Sequence, residues 1–558
     1  MSTPTSTPVP TAPDSGLVAA APAAGLADTA PAAAPASAAP ASAEGRTRFA
    51  TLPPRARTTS PLPSVRRRGG PRRRLPLRVF ALAVVLTGCV ALVVAGALGG
   101  TGAQRSADGI TLPVALTVSV FVLAVWAWSA TDLDDTLVAF LAALALIAVG
   151  VLPVEDFFAS LGDETIWLLI GAFVMATAIS SSGLALRAAA HLVRFARGPR
   201  SLFHLTTVAL TLSAFAVPAT SGRAALAVPV HAALYTALDG RPRVVRALAL
   251  LMPTVVLLSA VGSLLGAGAH LITDQLLRAS GEQGFTFLTW LWLGLPLAVV
   301  SSHLACELIL WRFLARADRA RGVRVTPADI ERASGLRVTG PLTGLERRAT
   351  LLLGAAVLLW STEPLHGLPP ALVALLGAVA AVTPGIGCTT LPTAVARVPW
   401  SLLLFLAATL ALAAALTGSG AAEWLSASAL EPLRGLGAAG AVGFLLVVVA
   451  VSTAAHLLIP SRSARSAAIV PAVIALAPGL GVEPMAAALA STAAAGFCHT
   501  LPSSAKPVAM FADPQVVQGG FNRGDLRRLS VVLAPAMFVL VAVFALWIWP
   551  LQGLPLLR

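Results

Sequence analysis

The chain has 558 residues, of which 57% are hydrophobic and only 11% charged, against roughly 25% charged residues in soluble domains, so an ordinary soluble domain is excluded and a bilayer is the expected solvent. The net charge of +14 lies in arginine runs beside apolar segments, the pattern of cytoplasmic loops rather than of a nucleic-acid-binding face. The single lysine, Lys506, sits in Ser-Ala-Lys-Pro, which excludes a Gly-Lys-Ser/Thr phosphate loop, and the dispersed Cys89, Cys306, Cys388 and Cys498 have no metal-ligand spacing.

Residues 1–76 are rich in Ala, Pro, Ser and Thr and end in Arg66-Arg67-Arg68 and Arg72-Arg73-Arg74. They are expected to form a disordered cytoplasmic arm, since such a composition cannot bury a core. The apolar run from Val79 is too long and too far from the start for an ordinary cleaved signal peptide, and reads as a first span with the N-terminus in the cytoplasm. Apolar runs of spanning length near 79–99, 112–131, 134–152, 165–186, 247–279, 285–313, 349–364, 368–386, 399–418, 483–512 and 530–551 predict about eleven crossings. Two further apolar segments, near 202–233 and 437–475, carry Pro and Arg at their centres and suit re-entrant helical hairpins.

The expected fold is therefore an all-α polytopic membrane protein. It has a first half at 77–314, a cytoplasmic linker at 315–347 and a second half at 348–558. Arginines at 187–200, 241–246, 312–348 and 523–528 fall on one side of this arrangement, which makes that side cytoplasmic. An odd number of crossings between the hairpins places them on opposite faces, so the duplication is expected to be inverted.

The first hairpin reads Pro218-Ala219-Thr220-Ser221-Gly222-Arg223 and runs on to Val228-Pro229. The second reads Pro460-Ser461-Arg462-Ser463-Ala464-Arg465 and runs on to Val470-Pro471. A matched Pro-x-x-Ser-x-Arg inside two apolar segments points to an anion. Proline breaks the helix and leaves free amides at the start of the next arm, serine hydroxyls donate, and arginine offers a bidentate fork. An arginine at mid-membrane costs roughly 2.5–3.5 kcal/mol on insertion scales, so the pair asks for a role. The alternatives are a snorkelling arginine or a structural pairing with Glu307 or Asp274, and for Arg462, which faces Thr220 in the other repeat, a simple hairpin cap. Each hairpin is followed by a span with a break in its second half, Gly262-Ser263-Leu264-Leu265-Gly266-Ala267-Gly268-Ala269-His270 and His499-Thr500-Leu501-Pro502-Ser503-Ser504-Ala505-Lys506-Pro507. Broken helices in corresponding positions of two halves point to a transporter binding site, where Lys506 adds a further cation unless it snorkels.

On these motifs, together with Trp167-Leu168-Leu169-Ile170-Gly171-Ala172-Phe173, the turns Ser182-Gly183-Leu184 and Ser419-Gly420-Ala421, Phe287-Leu288-Thr289-Trp290 and Gly294-Leu295-Pro296, the chain resembles the divalent anion/sodium symporter family over residues 110–551. The resemblance implies carriage of dicarboxylates, citrate or sulfate, a homodimer, and an elevator-like motion. It also implies hairpin tips reading Ser-Asn-Thr, whereas this chain has Ala219-Thr220-Ser221 and Ser461-Arg462-Ser463; its only asparagine is Asn522.

The expected substrate-binding set is Thr220, Ser221, Arg223, Ser461, Arg462, Ser463, Arg465 and Lys506, with His270 and His499 as proton-coupling candidates beside His231 and His456, each of which also suits simple packing. No cofactor or enzymatic role is expected. The coupling ion is left between Na+ and H+, or exchange, because fixed cations repel a bound sodium. The expected function is secondary transport of a small anion across the cytoplasmic membrane. A citrate or metalloid-oxyanion permease and a non-transporting membrane scaffold or sensor are the alternatives.

Overall fold

The computed structural model describes residues 75–99, 110–430 and 437–558. The expected N-terminal arm lies outside them up to residue 74. Among the described residues the chain is helical without a named strand, and eight helices are long and apolar enough to cross a membrane. The remaining apolar helices are shorter, including Asp135–Ala148, Pro370–Val382 and Pro484–Ala494. The count differs from eleven because helix continuity, not only hydropathy, sets the length. The apolar runs at 247–279 and 483–512 are each split by irregular backbone, and those at 134–152 and 368–386 hold helices of 14 and 13 residues.

Helix starts follow local capping chemistry. Asp134 and Asp163 accept from the amides of Thr136 and Thr165, and Thr286 accepts from Thr289. Asn522 makes a reciprocal box with Asp525, satisfying two amides that the first turn would otherwise leave free.

The order of elements recurs in the two halves. Glu164–Ser182 turns at Gly183 (φ 80°) into Leu184–Val193, and Trp400–Gly418 turns near Gly420 (φ 79°) into Ala421–Leu430. Hairpin 1 then comprises Pro199–Ala216 and Thr220–Ala237, and hairpin 2 comprises Gly437–Ala454 and Arg462–Leu476. Broken helix 1 runs Pro242–Leu258, an irregular stretch, and Gly268–Ala279. Broken helix 2 runs Pro484–Ala494, an irregular stretch, and Lys506–Ala512. Each half closes on a long helix, Phe287–Phe313 and Arg523–Val543.

The halves pack crosswise. Glu164–Ser182 lies on Pro370–Val382 and Trp400–Gly418 lies on Asp135–Ala148. The first of these contacts is close enough that a Cβ on Gly171 would come within 2.6 Å of the Ala374 backbone, so glycine is what permits the approach. The second arm of hairpin 2 packs on Gly268–Ala279, and that of hairpin 1 on Lys506–Ala512. Each hairpin thus meets the far segment of the other half's broken helix. A buried pair ties the linker to the first half: Arg187 Nε donates to Glu346 at 2.6 Å while its remaining nitrogens donate to the carbonyls of Thr339, Gly340 and Pro341.

Candidate functional site

Hairpin 1 turns at Val217-Pro218-Ala219, and Ala219 is the only non-glycine residue with positive φ (93°) among the described residues. Strain of this kind concentrates where the surroundings over-determine a functional backbone. Thr220 and Ser221 follow it, half-buried, at the start of Thr220–Ala237.

Arg223, one turn on, is 1% exposed, and its fork is largely occupied by protein. Nε donates to Ser213 Oγ at 3.0 Å and Nη1 to the Val256 carbonyl at 3.0 Å. Nη2 donates to the Leu210 carbonyl and to Ser259 Oγ, both at 2.6 Å. It clamps the entering arm of hairpin 1 to the end of the first segment of broken helix 1. Neither Glu307 nor Asp274 is its partner. Glu307 pairs with Arg200 and His204, and Asp274 with Arg278.

Hairpin 2 carries the same motif in a different environment. Ser461 caps Arg462–Leu476, its Oγ accepting from the Ala464 amide at 3.3 Å. Arg462 reaches across to the other half, donating from Nη1 to the Leu257 carbonyl at 3.4 Å and from Nη2 to His270 Nε2 at 3.1 Å. His270 Nδ1 in turn donates to the Ser263 carbonyl at 3.0 Å, which leaves Nε2 as the acceptor and makes this imidazole neutral. The ring lies against Trp290 with centroids 4.9 Å apart, and Trp290 Nε1 donates to the Val261 carbonyl at 2.8 Å inside the same break. A Cβ on Gly496 would come within 3.2 Å of Arg462 Nη2, and one on Gly268 within 3.2 Å of Ser463 Oγ. The Arg462 side chain therefore sits between the two breaks, and Ser463 faces the start of Gly268–Ala279.

Arg465 is fully buried. Its Nη2 lies 2.8 Å from Cys498 Sγ, while Nε and Nη1 have no protein partner, and neither does Arg462 Nε. The reason for the contrast with Arg223 lies in sequence. The leucine–serine environment of Ser213 and Ser259 has no counterpart in the second repeat, where the break reads Cys498-His499-Thr500-Leu501. Among the described residues, none of the ion pairs engages Arg223, Arg462 or Arg465. The fully buried guanidiniums of Arg223 and Arg465 and the partly buried one of Arg462, all without a carboxylate partner, are costly unless an anion joins them.

The remaining expected residues are placed as follows. Lys506 is exposed at the first position of Lys506–Ala512. His499 is buried with Nε2 unpartnered. His456 is tied to the Thr453 carbonyl and to Thr500 Oγ1, and His231 packs edge-on against Phe511. Two features escaped the sequence reading. Asp135 stands within reach of Ser461 and in the field of Lys506; the clustering of Asp132, Asp134 and Asp135 at one loop was its only signal. His204 and His303 meet at 2.7 Å, and nothing local joins residues so far apart in the chain.

The model of the citrate transporter family (CitMHS) matches residues 121–494, about two thirds of the chain and both hairpins. A membrane protein of Cupriavidus necator is 24% identical over 355 residues, 62% of this chain and 67% of that protein. A citrate/succinate antiporter of Escherichia coli K12 is 26% identical over 342 residues, 59% of this chain and 67% of that protein. Among solved structures, the Neisseria gonorrhoeae MtrF efflux pump superposes with a TM-score of 0.51 at 16% identity, covering 83% of this chain and 94% of that one, a likeness of fold. The anion permease implied by the earlier resemblance is met at that coarser level: the chain belongs to the citrate transporter family and is a multi-span secondary transporter of organic anions, not an enzyme.

Proposed function

We propose that the protein exchanges di- and tricarboxylates across the inner membrane, with the anion seated at the tip of hairpin 2. The single observation that carries this reading is the set of three guanidiniums without carboxylate partners, two of which, Arg462 and Arg465, keep buried donor atoms without an acceptor. A multivalent carboxylate supplies the missing charge and acceptors together, through charge-assisted bonds shorter and stronger than neutral ones. Ser463, and across the site Thr220, Ser221 and Lys506, offer further donors, while Arg223 holds the scaffold of the first break.

Exchange is favoured over sodium symport because the fixed charges stand beside the hairpin tip, where a mobile cation would be repelled. A carrier neutralised this way returns empty only at an electrostatic cost, whereas a second anion restores the balance. The citrate/succinate antiporter among the relatives supports the same reading. Re-entrant hairpins, a homodimeric assembly, an elevator-like movement and a cytoplasmic N-terminus belong to the proposal.

The test is counterflow in proteoliposomes. Vesicles loaded with succinate should take up labelled citrate without sodium, and empty vesicles should not. Uptake that requires sodium and ignores internal succinate would overturn exchange. Absence of flux for every carboxylate, with carboxylate-dependent thermal stabilisation retained, would point instead to a binding protein on a transporter fold.

A further inference from the structure

We propose that His204 and His303, with Glu307, form a proton-binding clasp at the base of hairpin 1, separate from the anion site and independent of which anion is carried. His204 lies on the entering arm Pro199–Ala216, and His303 and Glu307 lie one turn apart on Phe287–Phe313. The two Nδ1 atoms are 2.7 Å apart and the rings stack with centroids 5.0 Å apart at 23°. His204 Nε2 is 2.6 Å from Glu307 Oε1, which also accepts from Arg200 Nε at 2.7 Å.

This geometry counts protons. With both rings neutral, His204 Nε2–H donates to Glu307 and His303 Nδ1–H donates to His204 Nδ1, so every contact is made. One added proton is held as well, because Glu307 offsets its charge. A second requires a hydrogen on both facing Nδ1 atoms, and an N–H cannot face an N–H at 2.7 Å. The clasp therefore holds the arm on Phe287–Phe313 at neutral pH and releases it when the second proton binds. Stability from the contact is present at higher pH and is lost as pH falls.

The nearest charge outside the clasp is Arg200, with the buried Cys306 thiol behind it. On the other elements packed against the arm, Arg187 is closed with Glu346 and Arg243 with Asp318, Arg319 is bound to the Leu314 and Trp311 carbonyls, and His191 to the Arg187 carbonyl. Arg194, Arg246, Arg312 and Arg316 are exposed.

Hydrogen–deuterium exchange of Pro199–Ala216 in the full chain in lipid nanodiscs tests this, after correction for the intrinsic pH dependence of exchange. Between pH 8 and pH 5 the wild type should show about a tenfold rise. His303→Gln should abolish the rise. Glu307→Gln, which keeps both rings and removes the charge that favours their protonation, should move it to lower pH. A wild type without a rise, a His303→Gln variant that retains it, or an unshifted rise in Glu307→Gln overturns the proposal. Should His303→Gln fail to fold, the Glu307→Gln profile alone decides.

Discussion

Arg223 and Arg465 occupy the same position of a duplicated motif and have opposite surroundings. Arg223 satisfies two carbonyls and two hydroxyls, so Arg223→Ala strands buried acceptors at a cost of about 1–3 kcal/mol for each group left unpaired. Its expected effect is a lower thermal midpoint with or without citrate. Arg465 holds two idle donors, so Arg465→Gln, which removes an uncompensated buried charge, should not lower the midpoint of the empty protein and is expected to raise it. It should weaken citrate-dependent stabilisation by about tenfold in apparent affinity, a loss of roughly 1.4 kcal/mol. Thermal shift against citrate concentration checks both, and an unaltered citrate response in Arg465→Gln would remove Arg465 from the site. Ala219 gives a third expectation. Glycine relieves backbone strain of order 1–3 kcal/mol at this φ against an entropic cost of about 0.5–1 kcal/mol, so Ala219→Gly should stabilise the protein, and a fall in midpoint would count against strain at the tip.

At the scale of elements, the linker is held by carboxylates. Glu346 closes a capping box with Thr343 and a buried pair with Arg187. Glu346→Ala leaves that guanidinium uncompensated, and the expected loss is about 3–5 kcal/mol, read as a large drop in thermal midpoint that Arg187→Ala does not double. Within the linker, hydrogen bonds from Thr339 and Val338 hold the Glu331 carboxyl below the usual carboxylate range, and those from Thr326 do the same for Asp329. A depressed carboxylate contributes stability above its ordinary titration range and loses it as pH falls through the folded value. After correction for the intrinsic pH dependence of exchange, protection of the amides in residues 326–343 should therefore be high at neutral pH and be lost on acidification below the ordinary carboxylate range. Protection indifferent to pH there would contradict the role of these caps. The break in the first repeat is shaped by close approach: a Cβ on Gly266 would collide with the Ala260 carbonyl, and one on Gly294 with the Val261 carbonyl. The sequence shows both glycines but not the need for them, because the atoms that demand them arrive from the neighbouring turn and from another helix.

For the whole molecule, fixed guanidiniums in place of a mobile cation predict counterflow that persists when sodium is replaced by choline, checked by labelled citrate uptake. The membrane class and the all-helical fold were legible in the sequence, because hydropathy and the Pro-Arg interruptions of the two apolar segments are local properties, and the break segments are marked by Gly, Ser and Pro within long apolar runs. The matched Ser-x-Arg likewise made a buried positive charge legible, since residue type alone fixes the charge and its burial follows from the apolar context, and the proposed anion site rests on it. The tertiary structure alone decided how those charges are used. That Arg223 is consumed by Leu210, Ser213, Val256 and Ser259 while Arg465 is not, and that His204 meets His303, depend on packing between elements of one half, whereas Arg462 reaching His270 depends on the packing of one half against the other. Two copies of one motif carry the same charge by sequence, but a guanidinium binds substrate only through donors that its own fold has left unsatisfied.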